Sequence, residues 1–519
     1  MATQIKPNVI EALAGSGAQV LTDAETLEFY AHDIYDRGAD LTAVVRPADK
    51  EQLAAAVAAA TSHGHAVIPR GGGMSYTGGL TTSTVGAVLF DLKAMDRILD
   101  INEEDMTVTV EPGCSWAKLH KTLQPLGLRT PFWGTLSGLN ASVGGGMSQN
   151  GIFWGSGRHG TCVQSCVSLE VVLADGTLLK TGSEFSRPYG PDLTGIFLAD
   201  TGAMGMKAGI TMRLVKEAKA HGYASFTFDT HDAVLHALAE IERSDIATEC
   251  FGFDPYLNAI RMQRDSLASD TKQLVGMMKK QGSVFKALKE GAKVVTAGRN
   301  FIEAATFSLH VLTEGRNQPS ADADIAEAKK IAAEYGGKET ENTIPKIIRA
   351  NPFGPLNSIL GPKGERWAPV HGLVPHSKAV ACFEAIAAMM DEHKDEMDAR
   401  GLHYGTLIAA VGGEGVIIEP CLYWPDARNP VIEDTVEAAH IAKLPMHEAN
   451  AENWAMTKNL KQKLVDLFHD FGAVHFQIGR TYRHNDSLDP RARSLLESIK
   501  DNVDPQAQMN PGSLGLGNG

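Results

Sequence analysis

Short Val/Ile/Leu-rich runs alternate with glycine-rich loops and alanine-rich stretches over the first 215 or so residues, as in a mixed α/β domain. Ala43-Val44-Val45, followed by Arg46-Pro47, predicts the end of a strand. Lys50 to Thr61 predicts a helix, and His65 to Pro69, Val88 to Leu92 and Thr107 to Gly113 predict further strands. Leu169 to Ala174 reads as a strand that turns at Asp175-Gly176 and returns through Thr177 to Lys180.

From about Ala218 the helical stretches lengthen and glycine clusters thin out. Tyr223 to Phe228 and Val416 to Pro420 alternate with the period of a strand, so a sheet is expected to carry these helices. The tail holds a helix from about Lys458, a strand at Ala473 to Gln477, and a closing turn from Asp504-Pro505 to Asn510-Pro511-Gly512. The expected division is 1–215, then an α+β cap over 216–457, then a segment at 458–519 that returns to the first domain. The fold class is α+β, with no internal repeat.

Length supports this division, because single cores stop growing near about 250 to 300 residues and this chain has 519. Hydrophobic residues at 43% and charged residues at 21% exclude disorder and fibre. A net charge of -14 argues against a nucleic-acid partner, which needs a cationic footprint. The six cysteines are too scattered for a disulfide framework or a zinc knuckle, and the nearest pair, Cys162 and Cys166, is expected in buried strand. The N-terminal stretch lacks a secretory pattern, and no run approaches the roughly 20 apolar residues that span a bilayer. The cytoplasm is the default expectation. Lys279, Lys280, Lys286, Lys289, Lys293 and Arg299 recur at helical spacing. A solvated helix is the plain reading; docking of an acidic electron carrier or a membrane surface is the sharper one.

The strongest chemical signal is Pro69-Arg70-Gly71-Gly72-Gly73-Met74-Ser75-Tyr76-Thr77-Gly78-Gly79, placed directly after a strand. Glycine lets successive backbone N–H groups converge on one point, and such nests bind phosphate. The spacing is not the Gly-x-Gly-x-x-Gly that opens a helix in nicotinamide-cofactor sites, and no acidic residue follows where the ribose would need one. Two more small-residue clusters, Ser137 to Met147 and Asp192 to Gly205, suggest a long ligand threaded past several loops.

These loops, with Phe90-Asp91-Leu92-Lys93, Val110-Glu111-Pro112-Gly113, Arg366 to Val370 and Gly401 to Tyr404, resemble the PCMH-type FAD-binding family. That family includes vanillyl-alcohol oxidase, the p-cresol methylhydroxylase flavoprotein, and the glycolate oxidase and D-lactate dehydrogenase flavoproteins. The resemblance implies a two-subdomain FAD-binding domain under an α+β cap that covers the flavin. It implies that Arg70, Gly71, Gly72, Gly73, Met74, Ser75 and Gly78 hold the pyrophosphate, while Ser137, Ser142, Gly145, Gly151, Gly205 and Asn510 line the rest of FAD.

Three departures stand out. Members that bind flavin covalently use a histidine in the pyrophosphate loop, where this chain has Met74, or a His or Tyr in the cap, where 412–418 offers only Glu414. Non-covalent FAD is expected. Val474-His475 stands where phenol-oxidising members place Tyr-Arg, and Ser137 stands where they place an acid.

Histidine and glutamate suit the removal of a hydroxyl proton, so His371, His376, Glu419 and His475 are the catalytic candidates. Structural roles are the alternative for each of them. A histidine-and-acid metal site lacks the regular spacing it would need, so no metal is expected. Tyr76, Phe132, Trp133, Phe153 and Trp154 either wall an aryl pocket or pack the core. The leading expectation is hydride removal from an aryl or related alcohol or phenol, with oxygen or an electron-carrier protein as acceptor. A 2-hydroxy-acid dehydrogenase is the second, with Arg349 or Arg480 on the carboxylate. A flavin redox subunit that needs a partner chain is the third. Assembly with further copies of the chain is allowed but not specified.

Overall fold

Ala43, Val44 and Val45 are all fully buried because strand Leu41–Arg46 lies in a sheet covered on both faces. The computed structural model describes residues 8–262 and 306–517, so the basic stretch from Lys279 to Arg299 lies outside the described residues. The first sheet runs in the order Gln19–Leu21, Leu41–Arg46, Ala87–Asp91, Val67–Arg70, with its last three strands parallel. Side chains alternate between two clusters, Val45, Val67 and Phe90 on one face and Val44, Ile68 and Leu89 on the other. That two-sided burial is why these strands read as continuous apolar runs. Helix Lys50–Ser62, capped by Asp49 accepting from the Gln52 N–H, covers one face through Leu53, Ala56, Val57 and Ala60.

The second sheet is antiparallel, in the order Ile98–Asn102, Thr107–Val110, Met206–Arg213, Cys166–Val172, Leu178–Gly182. The hairpin expected at Asp175-Gly176 joins the last two strands, with Gly176 at φ +85°. Cys162 departs from expectation: it sits in a single 3-10 turn, Cys162–Ser165, and only Cys166 begins a strand, though both are buried.

An eight-stranded antiparallel sheet forms the cap. Its order is Lys338–Thr340, Ala220–Phe228, Phe307–Gly315, Glu249–Phe253, His403–Val411, Gly415–Trp424, Arg366–Pro369, with Gly372–Val374 also on Gly415–Trp424. The long strand Gly415–Trp424 has a strict period of two. Val416, Ile418, Leu422 and Trp424 enter the main core under the cap helices, and Ile417, Cys421 and Tyr423 point to the opposite face.

The helix expected from about Lys458 begins earlier than its sequence suggests. Helix Ala451–Asp470 contains Lys458 in its interior and sinks Leu460, Leu464, Val465 and Phe468 into the main core. The expected strand at Ala473 to Gln477 shrinks to one bridge between Val474 and Leu373, because Gln477 at φ +49° turns the chain out of the extended region. After helix Pro490–Val503, Met509 pairs in parallel with Val67, so the tail closes on the first sheet. Among the described residues, no helix is long and apolar enough to cross a membrane.

Candidate active site

Strand Val67–Arg70 delivers the chain into Gly71–Tyr76, which lines a cavity together with parts of the Ser137–Gly146 and Thr201–Met206 segments. Among the described residues, the backbone N–H groups of all six positions from Gly71 to Tyr76 find no acceptor. Gly72, Gly73, Ser75 and Tyr76 are buried. A run of buried donors without acceptors is costly unless an anion meets them, so this wall is built for a phosphate group. A Cβ on Gly72 would fall 2.0 Å from the Asn140 carbonyl oxygen, and one on Gly202 would fall 2.4 Å from the Pro69 ring. The loops touch backbone to backbone, and no larger residue fits between them.

Of the predicted cofactor residues, Gly71, Gly72, Gly73, Met74, Ser75, Ser137, Ser142, Gly145, Gly151 and Gly205 line this cavity. Arg70, Gly78 and Asn510 lie behind it. Arg70 donates to the His32 carbonyl at 2.8 Å and lies over the rings of Phe29 and Tyr30, in a separate cleft across Gly72 and Met74. The Gly78 N–H is taken by Asp33 at 3.0 Å. Asn510 ties Gly79 to Thr201 through its amide at 2.8 and 2.7 Å. All three brace the loops rather than face the cavity.

The far end of the cavity belongs to the cap. Glu419, Cys421 and Tyr423 reach it from one face of Gly415–Trp424, opposite Leu407 and Ala409 of the neighbouring strand. Trp367, Phe153 and Tyr76 add aromatic wall, and the tail contributes Phe476 and Gln477. The amide of Gln477 donates to the Tyr76 hydroxyl at 2.9 Å. The buried Oε1 of Gln149 has no partner and sits on the same cavity, a waiting acceptor for a ligand N–H or O–H.

Among the four catalytic candidates, only Glu419 lines the cavity. His371 is fully buried behind Phe476, on which its ring stacks at 3.7 Å. Its Nε2 lies 2.6 Å from the Phe476 carbonyl, which can only accept, so Nε2 carries the proton. The Tyr482 hydroxyl accepts the His371 backbone N–H at 2.8 Å and is placed to donate to Nδ1 at 3.2 Å. Glu419 is 3.8 Å from the same Nδ1. Burial drives the His371 pKa down to about 3, against the partial support of the Phe476 carbonyl. It is a neutral, fully committed side chain and not a free base.

His475 donates through Nδ1 to the His371 carbonyl at 2.8 Å and stacks on Tyr482 at 4.0 Å, with its pKa lowered to about 4 by burial. His376 faces Glu242 at 3.5 Å, away from the cavity. Glu242 accepts from the N–H groups of Val411 and Gly413, and burial raises its pKa to about 7.

Tyr76 and Phe153 wall the cavity as an aryl pocket would require, whereas Trp133 and Trp154 stack on each other at 4.8 Å and Phe132 packs edge-on against Trp116. Arg349 donates through one guanidinium nitrogen to Glu217 and Glu314, at 3.0 and 2.9 Å, leaves its buried Nη1 without a partner, and lies over Trp133. Arg480 is spent on the carbonyls of Gly78, Thr81 and Pro511 and on Asn510. Neither reaches the cavity. Lys207 is the one cation among its described lining residues, and it is ion-paired with buried Asp200. Away from the cavity, Glu217, His221 and Glu314 bring ligand atoms within 4.8 Å of one another. Arg129 and Arg349 already match the charge of those carboxylates.

Sequence reasoning missed Trp367, Cys421, Tyr423 and Gln477. Cys421 and Tyr423 were within reach, since they follow Glu419 at strand period two. Gln477 carried no signal, because its place depends on a turn 401 residues from its partner Tyr76.

Residues 41–182 match the FAD binding domain family. The chain is 33% identical over 189 residues to a probable mitochondrial D-lactate dehydrogenase of Danio rerio, covering 35% of this chain and 37% of that protein. It is 24% identical over 479 residues to the mitochondrial D-lactate dehydrogenase (cytochrome) of Arabidopsis thaliana, covering 91% and 73%. In fold it is similar to p-cresol methylhydroxylase with substrate bound, with a TM-score of 0.69 at 18% identity over 98% of this chain and 96% of that one. The match to the zebrafish protein spans well under half of that relative's length. Fold, loop and cavity together define the class, an FAD-binding α+β scaffold with a cap sheet over the cofactor cavity. Residues 41–182 form an FAD binding domain, FAD is the cofactor this implies, and the fold as a whole is similar to that of p-cresol methylhydroxylase.

Proposed function

We propose that the chain oxidises an uncharged apolar or aromatic alcohol, with Glu419 accepting the hydroxyl proton as the carbinol hydride leaves. Bound FAD supplies the hydride acceptor. Gly71 to Tyr76 would hold its pyrophosphate through their open N–H groups. The observation that carries the reading is the alternation of strand Gly415–Trp424, which sets Glu419 among Ile417, Cys421 and Tyr423 on one face of the sheet. A carboxylate in an apolar wall is a proton acceptor for a neutral substrate and repels an anionic one. Tyr76, its hydroxyl oxygen already accepting from Gln477, keeps its own O–H to donate to the substrate oxygen.

The names of the curated relatives favour a second reading, oxidation of a D-2-hydroxy acid. Such a substrate needs a cation for its carboxylate, and the described cavity offers only Lys207, already paired. Mixing the FAD-loaded enzyme anaerobically with aryl and alkyl alcohols and with D- and L-2-hydroxy acids, while following loss of oxidised-flavin absorbance, tests both. Bleaching by alcohols is expected. Bleaching by hydroxy acids alone would overturn the proposal. Readmitting oxygen, or adding a dye acceptor, then shows which acceptor reoxidises the flavin.

The flavin is held without a covalent bond. The support is Met74 at the loop position and the stretch 412–418, which holds neither histidine nor tyrosine.

A further inference from the structure

The loop that meets the cofactor is gripped from behind, and the two charged groups that hold it, Asp33 and Lys461, do not line the cavity. Segment 32–36 runs along its back. Asp33, with no exposed surface, accepts from the Gly78 N–H at 3.0 Å, and with its other oxygen from the N–H groups of Tyr35 and Asp36 at 2.7 Å each. The Ile34 N–H donates to the Ser75 carbonyl at 3.2 Å. The cap holds the same segment: Arg366 donates to the carbonyls of Ile34 and Tyr35, and Asn429 to those of Asp33 and Ile34. From helix Ala451–Asp470 comes Lys461, 7% exposed. Its Nζ donates to the Tyr76 carbonyl at 3.1 Å and lies 3.6 Å from the centre of the Tyr35 ring.

We propose that Lys461 is a positioning residue for FAD, a charged latch that, with Asp33, holds the cofactor loop in its binding shape and makes FAD retention depend on a proton outside the cavity. Lys461 and Asp33 grip the loop at Tyr76 and Gly78, on either side of Thr77, so together they fix how Tyr76 and the open N–H groups before it are presented. Several charged groups face this pair. Asp33 and Asp36 lie on the segment, Arg70 on the loop, Arg366 and neutral His371 on the cap, and Arg480 on the tail.

Burial lowers the Lys461 pKa to about 8, and the carboxylates of Asp33 and Asp36 only partly offset it. An anion held by the loop favours the charged lysine, so by linkage FAD binding must weaken as pH rises through that value.

The test is the FAD dissociation constant of the refilled apoprotein, read by flavin fluorescence between pH 7 and 9.5. The native protein should lose affinity above pH 8. Lys461→Arg, which does not titrate in this range, should hold a flat profile. Lys461→Met should bind FAD about tenfold to a hundredfold more weakly at pH 7, the worth of one hydrogen bond from a charged donor. Native affinity that stays flat to pH 9.5 overturns the proposal, as does a Lys461→Arg profile that falls in parallel with the native one. Both of these readings stand even if Lys461→Met does not fold. A folded Lys461→Met with native affinity at pH 7 also overturns it.

Discussion

Gln477 and Tyr76 are joined by a 2.9 Å hydrogen bond from the glutamine amide to the tyrosine hydroxyl, and both line the cavity. One comes from the C-terminal tail and the other from the cofactor loop, so this part of the cavity wall is complete only when the tail is docked. Gln477 holds φ at +49°, a left-handed conformation that costs a side-chain-bearing residue on the order of 1 kcal/mol and persists only where neighbours enforce it. Its own N–H donates to the Gln149 carbonyl, which is part of that enforcement. Gln477→Leu removes the donor to Tyr76. We expect kcat/KM to fall about tenfold, the worth of one such bond, with FAD affinity unchanged. Steady-state kinetics beside a flavin titration checks it.

Gly72→Ala probes the wall between the first two loops. The added Cβ would sit 2.0 Å from the Asn140 backbone oxygen, and no side chain can yield there. Loss of FAD binding and a lower Tm are expected. Gly64→Ala is the contrast: its Cβ meets nothing within 4 Å, so only its left-handed φ of +83° is penalised, at about 1 kcal/mol. Purified Gly64→Ala should remain yellow and Gly72→Ala should not.

Much of the first domain was legible because its signals are local. Ala43 to Val45 and Val88 to Phe90 are buried on both sides and read as strands by composition alone, and the helix expected at Lys50 to Thr61 ends one residue later, at Ser62. The glycine loop announced a phosphate by chemistry that needs no distant partner. The cap end was less legible, because what matters there is which face of a strand a residue takes and what lies behind it. His371 and His475 look like catalytic histidines in sequence. In the fold they are a stacked pair with Phe476 and Tyr482, committed to the carbonyls of Phe476 and His371. Nothing near them in sequence predicts those partners, which lie 105 and 104 residues away.

That buried histidine gives the protein an acid-sensitive joint. The His371 pKa is about 3 when folded and 6.5 in its ordinary state. Between those values the unfolded chain binds a proton that the folded chain refuses. Stability from this site is therefore full above pH 6.5 and is lost as pH falls toward 3. Between pH 7 and pH 5 the loss is on the order of 2 kcal/mol. Urea unfolding at the two pH values should show it. His371→Asn, whose amide can still donate to the Phe476 carbonyl but does not titrate, should show a smaller loss.

Release of the cofactor tests the non-covalent reading. With Met74 in the loop and neither histidine nor tyrosine at 412–418, acid precipitation should leave all the flavin in the supernatant. Mass spectrometry of the denatured chain should return 55.6 kDa with no added FAD mass.

Glu419 and His371 lie 3.8 Å apart, and substitutions separate their roles. If Glu419 takes the substrate proton, Glu419→Gln keeps the shape of the wall and loses the acceptor. The expected result is a kcat about a hundredfold lower or more, the usual worth of a general base, with FAD bound and its visible spectrum unchanged. His371→Asn should lower kcat/KM far less, because its effect passes through the position of Phe476 and Gln477. His376→Gln, out by Glu242, should leave kcat unchanged. A Glu419→Gln enzyme with near-native kcat on an alcohol would sink the assignment. A gain on 2-hydroxy acids in that variant would show that the carboxylate had been excluding them by charge, which is what its place in an apolar wall implies.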